Sequence, residues 1–287
     1  MEILLTNDDG RDAKGLKVLE GIMRHYGNVT VVAPKYHQSG MSMAVDLGFK
    51  KLAFKETDFE PASGDLGSIR RCYFDATPAS CTKFGLNVVF ADRLPDLVVS
   101  GINHGSNAAT ASCYSGTLGA VQEAAVRGVR GIGVSLDAFG PDSDFSAFPV
   151  LLPPIIDKLI STPYGERDLF YNINFPNLPA SAIKGIRASH MGLVRWVREF
   201  VEWDDEMVDK LLKKSGMLSS FAEVPHQEPE EGETFYKMVG QFQDMDRNDE
   251  RSDHRLNMAG YISITAHRLD NTDYEEMERL RGLEEEF

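Results

Sequence analysis

ILLTNDDGRDAKGLKVLEGIMRHYGNVTVVAP, residues 3–34, decides the fold class. ILLT (3–6) and VTVVA (29–33) are apolar runs of strand length, the second β-branched and closed by Pro34. Between them GLKVLEGIMRHYG (15–27) carries apolar residues at helical spacing and ends on Gly27, as helices commonly do. Strand, helix and strand in that order, with strands apolar throughout, read as a parallel pair joined by a crossover helix. The rhythm recurs. PASCTKFGLNVVF (78–90) is helix-like, DLVVSGIN (96–103) reads as strand plus turn, and GTLGAVQEAAVRG (116–128) as helix. GIGVSL (131–136) is a strand, FPVLLPPIIDKLIST (148–162) is helical after its prolines, and LFYNINFP (169–176) is a further strand. The class is α/β, a doubly wound and mostly parallel sheet.

Two regions break the rhythm. Residues 46–76 are more mixed and read as a β excursion on the surface. After about residue 185 come the strand-like REFVEWDDE (198–206), ETFYKMVGQFQ (233–243) and GYISITAHRL (260–269). Acidic stretches separate them, EVPHQEPEEGE (223–233) and QDMDRNDERSDHR (243–255), which read as solvated loops. TDYEEMERLRGLEEEF (272–287) closes as an amphipathic helix with Asp273 near its start. The expected division is an α/β core over 1–185 and a smaller part over 186–287, with strands, an extended arm and a terminal helix that partly returns to the core.

The 287 residues carry a net charge of −14, which argues against general affinity for nucleic acid or anionic membranes, since both need basic surface. A small anionic substrate stays open, because a local cation or a helix N-terminus can reverse the potential inside a cleft. Cys72, Cys81 and Cys113 form no CxxC pair and are odd in number, so they read as small buried side chains in a reducing cytoplasm. No charged-then-apolar leader stands at the N-terminus, and no run approaches the ~20 apolar residues of a membrane span. The expectation is a soluble cytoplasmic protein.

NDDG (7–10) has two readings, a turn or a cation site. In a doubly wound sheet ligands sit outside the carboxyl ends of the strands. There the first strand presents Asn7, Asp8, Asp9 and Gly10, the second APKYHQSGMS with Ser39, Gly40 and Ser42, and the strand at 96–100 SGINHGSN with Asn103 and Asn107. That is an oxygen-ligand set, suited to Mg²⁺ or Mn²⁺. Neighbouring strand residues point to opposite faces, so Asp8 and Asp9 share one ion only if the chain turns, which Gly10 permits. CYSGTLGAVQEAAV (113–126) places Ser115, Gly116 and Thr117 at a helix start, either a phosphate-binding N-terminus or an N-cap alone. Cation and anion pocket together point to phosphoryl chemistry, with water activated by the ion attacking in line.

LLTNDDG (4–10), VTVVAPKYHQSGMS (29–42), TPASC (77–81), LVVSGINHGSN (97–107), YSGTLGA (114–120), NINFP (172–176) and GYISITA (260–266) resemble, in order, the motifs of the SurE family, stationary-phase survival proteins that act as metal-dependent 5′-nucleotidases. The resemblance implies a Rossmann-like core and one divalent cation per subunit, Mg²⁺ or Mn²⁺, on Asp8, Asp9, Ser39 and Asn103. It places Asn107 and the Ser115-Gly116-Thr117 turn beside the substrate phosphate. It further implies a C-terminal hairpin and helix exchanged between subunits, hence a homodimer or homotetramer. RDAKG (11–15) replaces the family's usual apolar-His-Ala-Pro-Gly, Ala76 stands where a Gly commonly precedes Thr77-Pro78, and Asp253 matches while His254 falls one place early. His104, beside Asn103, is the proton-donor candidate by position. The function expected is hydrolysis of nucleoside 5′-monophosphates, with Asp8 and Asp9 catalytic. The rival is a nucleotide-binding stress module without turnover. A covalent route through Asp8 lacks the two-aspartate spacing of the aspartyl-phosphate enzymes.

Overall fold

A strand apolar on every side chain needs cover on both faces and a neighbour at both edges. The computed structural model, which describes residues 1–47, 51–140, 142–163, 168–204, 206, 232–238, 240–246 and 249–285, provides both. Strand β1 (Glu2–Thr6) lies parallel between β2 (Asn28–Pro34) and β5 (Leu97–His104). Beyond β2 come β4 (Ile69–Phe74), parallel, and β3 (Phe54–Glu60), antiparallel. Beyond β5 come β6 (Gly131–Leu136) and β7 (Leu169–Phe175), both parallel. Then β13 (Ile262–Arg268) runs antiparallel to β7, and β8 (Ile186–Ser189) lies parallel to β13. The sheet has nine strands in the order β3-β4-β2-β1-β5-β6-β7-β13-β8.

Side-chain alternation sorts the core into two layers. Ile3 and Leu5 pack with Leu16, Leu19 and Met23 of α1 (Lys14–Met23) and Phe148, Leu152 and Ile156 of α4 (Phe148–Ser161). Leu4 turns the other way, into a cluster with Cys81 of α2 (Pro78–Phe84) and Ala124 of α3 (Gly116–Val126). Two small antiparallel pairs lie outside the main sheet: β9 (Val194–Val197) with β12 (Gln241–Asp244), and β10 (Phe200–Glu202) with β11 (Tyr236–Met238). No helix among the described residues is long and apolar enough to cross a membrane.

Several expectations are corrected. The surface β excursion expected over 46–76 holds for β3, an exposed edge strand, but not for β4, which is a member of the main sheet because Ile69, Cys72 and Phe74 are buried. The α1-side face of that edge carries ion pairs. Arg71 Nε bonds Glu20 Oε2 at 2.9 Å and Nη1 bonds Asp58 Oδ2 at 2.8 Å, while Glu60 joins both Arg71 and Arg24. Helix α4 does not wait for its prolines; it starts at Phe148 with Pro153 and Pro154 inside. Packing overrides the lost donors there, since Phe148 stacks on Phe175 with centroids 4.1 Å apart and Tyr26 OH donates to the Pro153 carbonyl at 3.0 Å. Helix α1 stops at Met23, short of Gly27, whose backbone lies so close to Met1 that a Cβ would stand 2.1 Å from its carbonyl oxygen. Cys113 is exposed, unlike the buried Cys72 and Cys81.

The acidic 243–255 stretch is not all loop. Its end forms a short helix, α5 (Asp253–Met258), held by the buried Asp253, Leu256 and Asn257 rather than by any amphipathic period. Terminal helix α6 (Tyr274–Leu280) begins at Asp273, whose side chain accepts the Glu276 N–H. Of 223–233, only 232 and 233 lie within the described residues.

Truncating the aromatic stack tests this core. Phe148→Ala is expected to lower unfolding free energy by about 3–5 kcal/mol. Urea denaturation measures it, and a loss below about 1 kcal/mol would contradict the packing described.

Candidate active site

From β1 the chain crosses through α1 to β2 on one side, while β5 lies on the other, so the carboxyl end of β1 is a topological switch point, the place where such sheets bind ligands. Asn7-Asp8-Asp9-Gly10 occupies it. The turn expected there is present. Gly10 takes φ +96°, open to glycine at little cost, and Asn7 Nδ2 donates to the Gly10 carbonyl at 2.8 Å. The Gln38 N–H donates to the Asp8 carbonyl at 2.7 Å, which ties the loop after β2 to the same point.

Asp8 lies buried under the start of α3. Thr117 Oγ1 donates to its Oδ1 at 2.6 Å. Gly116 packs so closely that a Cβ there would stand 2.9 Å from Asp8 Cβ and 3.1 Å from Oδ2. Burial and then the neighbouring Asp9 charge push the Asp8 carboxyl up to about 7, against the pull of the Thr117 hydroxyl. Asp9 is flanked by imidazoles. Its Oδ2 accepts the His104 N–H at 3.1 Å and faces His104 Nδ1 at 3.1 Å, while Oδ1 stands 3.7 Å from His37 Nδ1. Phe145 sets the His104 ring edge-on at 5.0 Å.

The other sequence candidates fall as follows. Asn103, at the end of β5, donates Nδ2 to the Gly105 carbonyl at 2.8 Å, so its Oδ1 is the side left to receive a cation. Ser39 is exposed, on a loop fixed at one end by Gln38 and at the other by Ser42, whose N–H donates to the Tyr114 carbonyl at 3.0 Å. Ser115 is the N-cap of α3, accepting the Leu118 N–H at 3.1 Å. Thr117 spends its hydroxyl on Asp8. Both side chains at the helix start are therefore spent within the protein, and so are the Leu118 and Gly119 N–H groups, which Ser115 accepts. Asn107 is buried, with Nδ2 on Ser135 Oγ at 2.8 Å and its N–H on Asn174 Oδ1 at 2.8 Å. His104 joins the carboxylate pair directly. Sequence reasoning passes over His37, although it stands two residues before Ser39, over Asn172 and Asn174, although they stand in the NINFP motif, and over Asn257, which has no local signal.

A divalent cation fits these donors. Among the described residues no group of three His, Cys, Asp or Glu side chains could hold a metal, which disfavours a zinc-type site. Two carboxylates with amide and hydroxyl oxygens make a hard-ion set. Burial and the neighbouring Asp9 charge raise the Asp8 carboxyl, and a bound cation would favour its ionised form. The Asn7 Oδ1 beside them is buried with no hydrogen-bond partner.

A family model described as Survival protein SurE matches residues 3–198, a span that holds Asp8, Asp9, Ser39, Asn103, His104, Asn107 and the start of α3. The chain belongs to the SurE family. It is 33% identical to the 5′-nucleotidase SurE of Ruegeria pomeroyi, over 98% of this chain and 99% of that one. It is 34% identical to the 5′-nucleotidase SurE of Jannaschia sp., over 98% of each chain. The crystal structure of the SurE protein from Aquifex aeolicus superposes with a TM-score of 0.74 at 26% identity, covering 99% of this chain and 100% of that chain. The SurE fold in this chain is the α/β sheet that the opening strand-helix-strand run predicts.

Removing the hydroxyl that holds Asp8 probes the site without touching either carboxylate. Thr117→Val is expected to destabilise the protein by about 1–3 kcal/mol, because the buried Asp8 loses its donor. Chemical denaturation at neutral pH checks this. A change under about 0.5 kcal/mol would mean that the bond does not hold the site.

Proposed function

We propose that this SurE protein is a divalent-metal-dependent 5′-nucleotidase that cleaves nucleoside 5′-monophosphates to nucleoside and phosphate. One observation carries the reading: two adjacent carboxylates, turned together at Gly10, stand at the switch point with Asn103 and the start of α3. Asp8, Asp9, Ser39 and Asn103 would hold Mg²⁺ or Mn²⁺. Bound there, such an ion polarises phosphoryl oxygens and lowers the pKa of a coordinated water.

The remaining work falls to the chain's own groups. The positive end of the α3 dipole offers partial positive charge to phosphoryl oxygens, and Asn107 borders the same loop. Asp9 orients the His104 ring through Nδ1, which leaves Nε2 to give a proton to the departing 5′-oxygen. The 5′-nucleotidase activity of the Ruegeria and Jannaschia relatives supports the substrate class. Trp196, Phe200, Tyr236 and Met238, exposed on β9–β11, support a homo-oligomer formed through this arm. The three unpaired cysteines support a reducing compartment.

Phosphate release from 5′- and 3′-nucleoside monophosphates, after EDTA and then with each metal restored, tests the proposal. Restored release from the 5′ substrates is expected, with Asp9→Asn slower by about a hundredfold or more. Nucleotide binding without release under any metal would sink the enzyme and favour the binding module. The proton donor has its own test. His104→Gln is expected to slow AMP hydrolysis by about a hundredfold while sparing p-nitrophenyl phosphate, whose leaving group needs no proton. Equal losses on both substrates would remove His104 from that role.

A further inference from the structure

The segment 105–115 joins β5 to α3 and carries Asn107 and Ser115. It is gripped from the far end of the chain. Asn174, at the carboxyl end of β7, accepts the Asn107 N–H on Oδ1 at 2.8 Å, and its Nδ2 donates to Asn172 Oδ1 at 2.9 Å. Asn172 Nδ2 in turn donates to the Asn107 carbonyl at 2.9 Å. Two residues on, Ala109 has φ +55°, a left-handed conformation that costs a residue with a Cβ. Its N–H points at the carboxylate of Asp253, 2.9 Å from each oxygen.

Asp253 is fully buried. It also accepts the Gly192 N–H at 3.0 Å and the His254 N–H at 2.8 Å. Among the described residues it makes no ion pair with Lys or Arg. The nearest basic group is His254 Nδ1 at 3.9 Å, whose ring directs Nε2 to Asp244 at 3.1 Å. Burying a carboxylate without a cation is costly unless hydrogen bonds replace its hydration. Here three backbone N–H groups from three segments do so, and one belongs to the strained residue of the loop.

We propose that Asp253 and Asn174 are positioning residues for phosphate recognition, holding 105–115 so that Asn107 and the start of α3 face the substrate. The proposal rests on the 5′-nucleotidase reading for its readout in KM but not for its physical basis. Asp8 and Asp9 come from a different loop, so loss of the grip separates anion binding from cation binding.

The experiment compares wild type with Asp253→Asn, which keeps shape but turns an N–H donor toward N–H donors. Three quantities are read: AMP kinetics, Mn²⁺ affinity by calorimetry, and hydrogen exchange of 105–115. The expected result is a KM about tenfold higher, Mn²⁺ affinity within about twofold of wild type, and faster exchange confined to 105–115 and 190–193. Unchanged exchange in the loop overturns the proposal, as does Mn²⁺ affinity falling in step with KM. Should the variant not fold, Asn174→Ser is put through the same three measurements, and the same outcomes support or overturn the proposal. If wild type hydrolyses no nucleotide, the function reading fails on that ground. Inorganic phosphate binding in Mn²⁺ then replaces KM, and an affinity equal in wild type and variant overturns the positioning role.

Discussion

Two carboxylates on adjacent residues repel, and Asp8 and Asp9 do so at the end of the central strand, where one of them is buried. The structure around them answers that repulsion. Gly10 lets the chain reverse so that the pair leaves the strand together, and Thr117 donates its hydroxyl to Asp8. His104 and His37 stand on the two oxygens of Asp9. The first turn of α3 can come this close only because residue 116 has no side chain. These partners come from the pair's own turn, the loop after β2, the end of β5 and the start of α3, so the pair organises the edge as much as the edge holds the pair. Even so, Asp8 remains a reluctant carboxylate, raised to about 7 by burial and by Asp9. In the proposed site a divalent cation would relieve what the hydrogen bonds do not.

How far the chain announces this arrangement depends on the range of the interaction. Strands β1, β2, β5, β6 and β7 are legible because each is buried on both faces, which leaves an unbroken apolar run in the sequence. The NDDG turn is legible because Asn, Asp and Gly act on their own neighbours. Strand β4 is harder to read: Cys72 and Phe74 of IRRCYF join the α2–α3 layer, while Ile69 joins the α1 layer, on whose face Arg71 lies among Glu20, Asp58 and Glu60. That pattern resembles a surface strand, although its neighbours place it inside the sheet. Helix α5 has too few residues for a hydrophobic period. What holds it is a set of tertiary contacts, such as Asp253 with Ala109, 144 residues away. No window along the chain sees that distance.

The site residues divide in the same way. Asp8, Asp9 and Asn103 stand in motifs whose chemistry is visible in the letters, and the fold brings their loops to one edge. The helix start at 115–117 is visible as well, but its allocation is not. A sequence marks Ser115 and Thr117 as polar groups at a helix N-terminus. Only the packing shows that one caps the helix and the other holds Asp8.

The last link lies in the direction of one strand. Had β13 continued the parallel order of β1, β5, β6 and β7, the segment before it would enter from the amino edge, far from the cleft. It runs antiparallel, pairing Ser263 with Asn174 and Arg268 with Leu169. The residues that precede it therefore arrive at the carboxyl edge. Helix α5 sits there, with Asn257 Nδ2 on the Asn174 carbonyl at 2.8 Å and Asp253 under Ala109. The reversal of β13, which β8 shares, thus lets the C-terminal part of the chain reach under a loop encoded in the first half. The polar ladder of Asn107, Asn172, Asn174 and Asn257 needs that reversal, because its members come from β7, α5 and the loop after β5. A buried amide ladder adds little net stability over an apolar core of the same shape, but each unmade bond in it is costly. Such a network constrains where its members stand more than it adds to stability, and here one of its members is the backbone beside the proposed phosphate site.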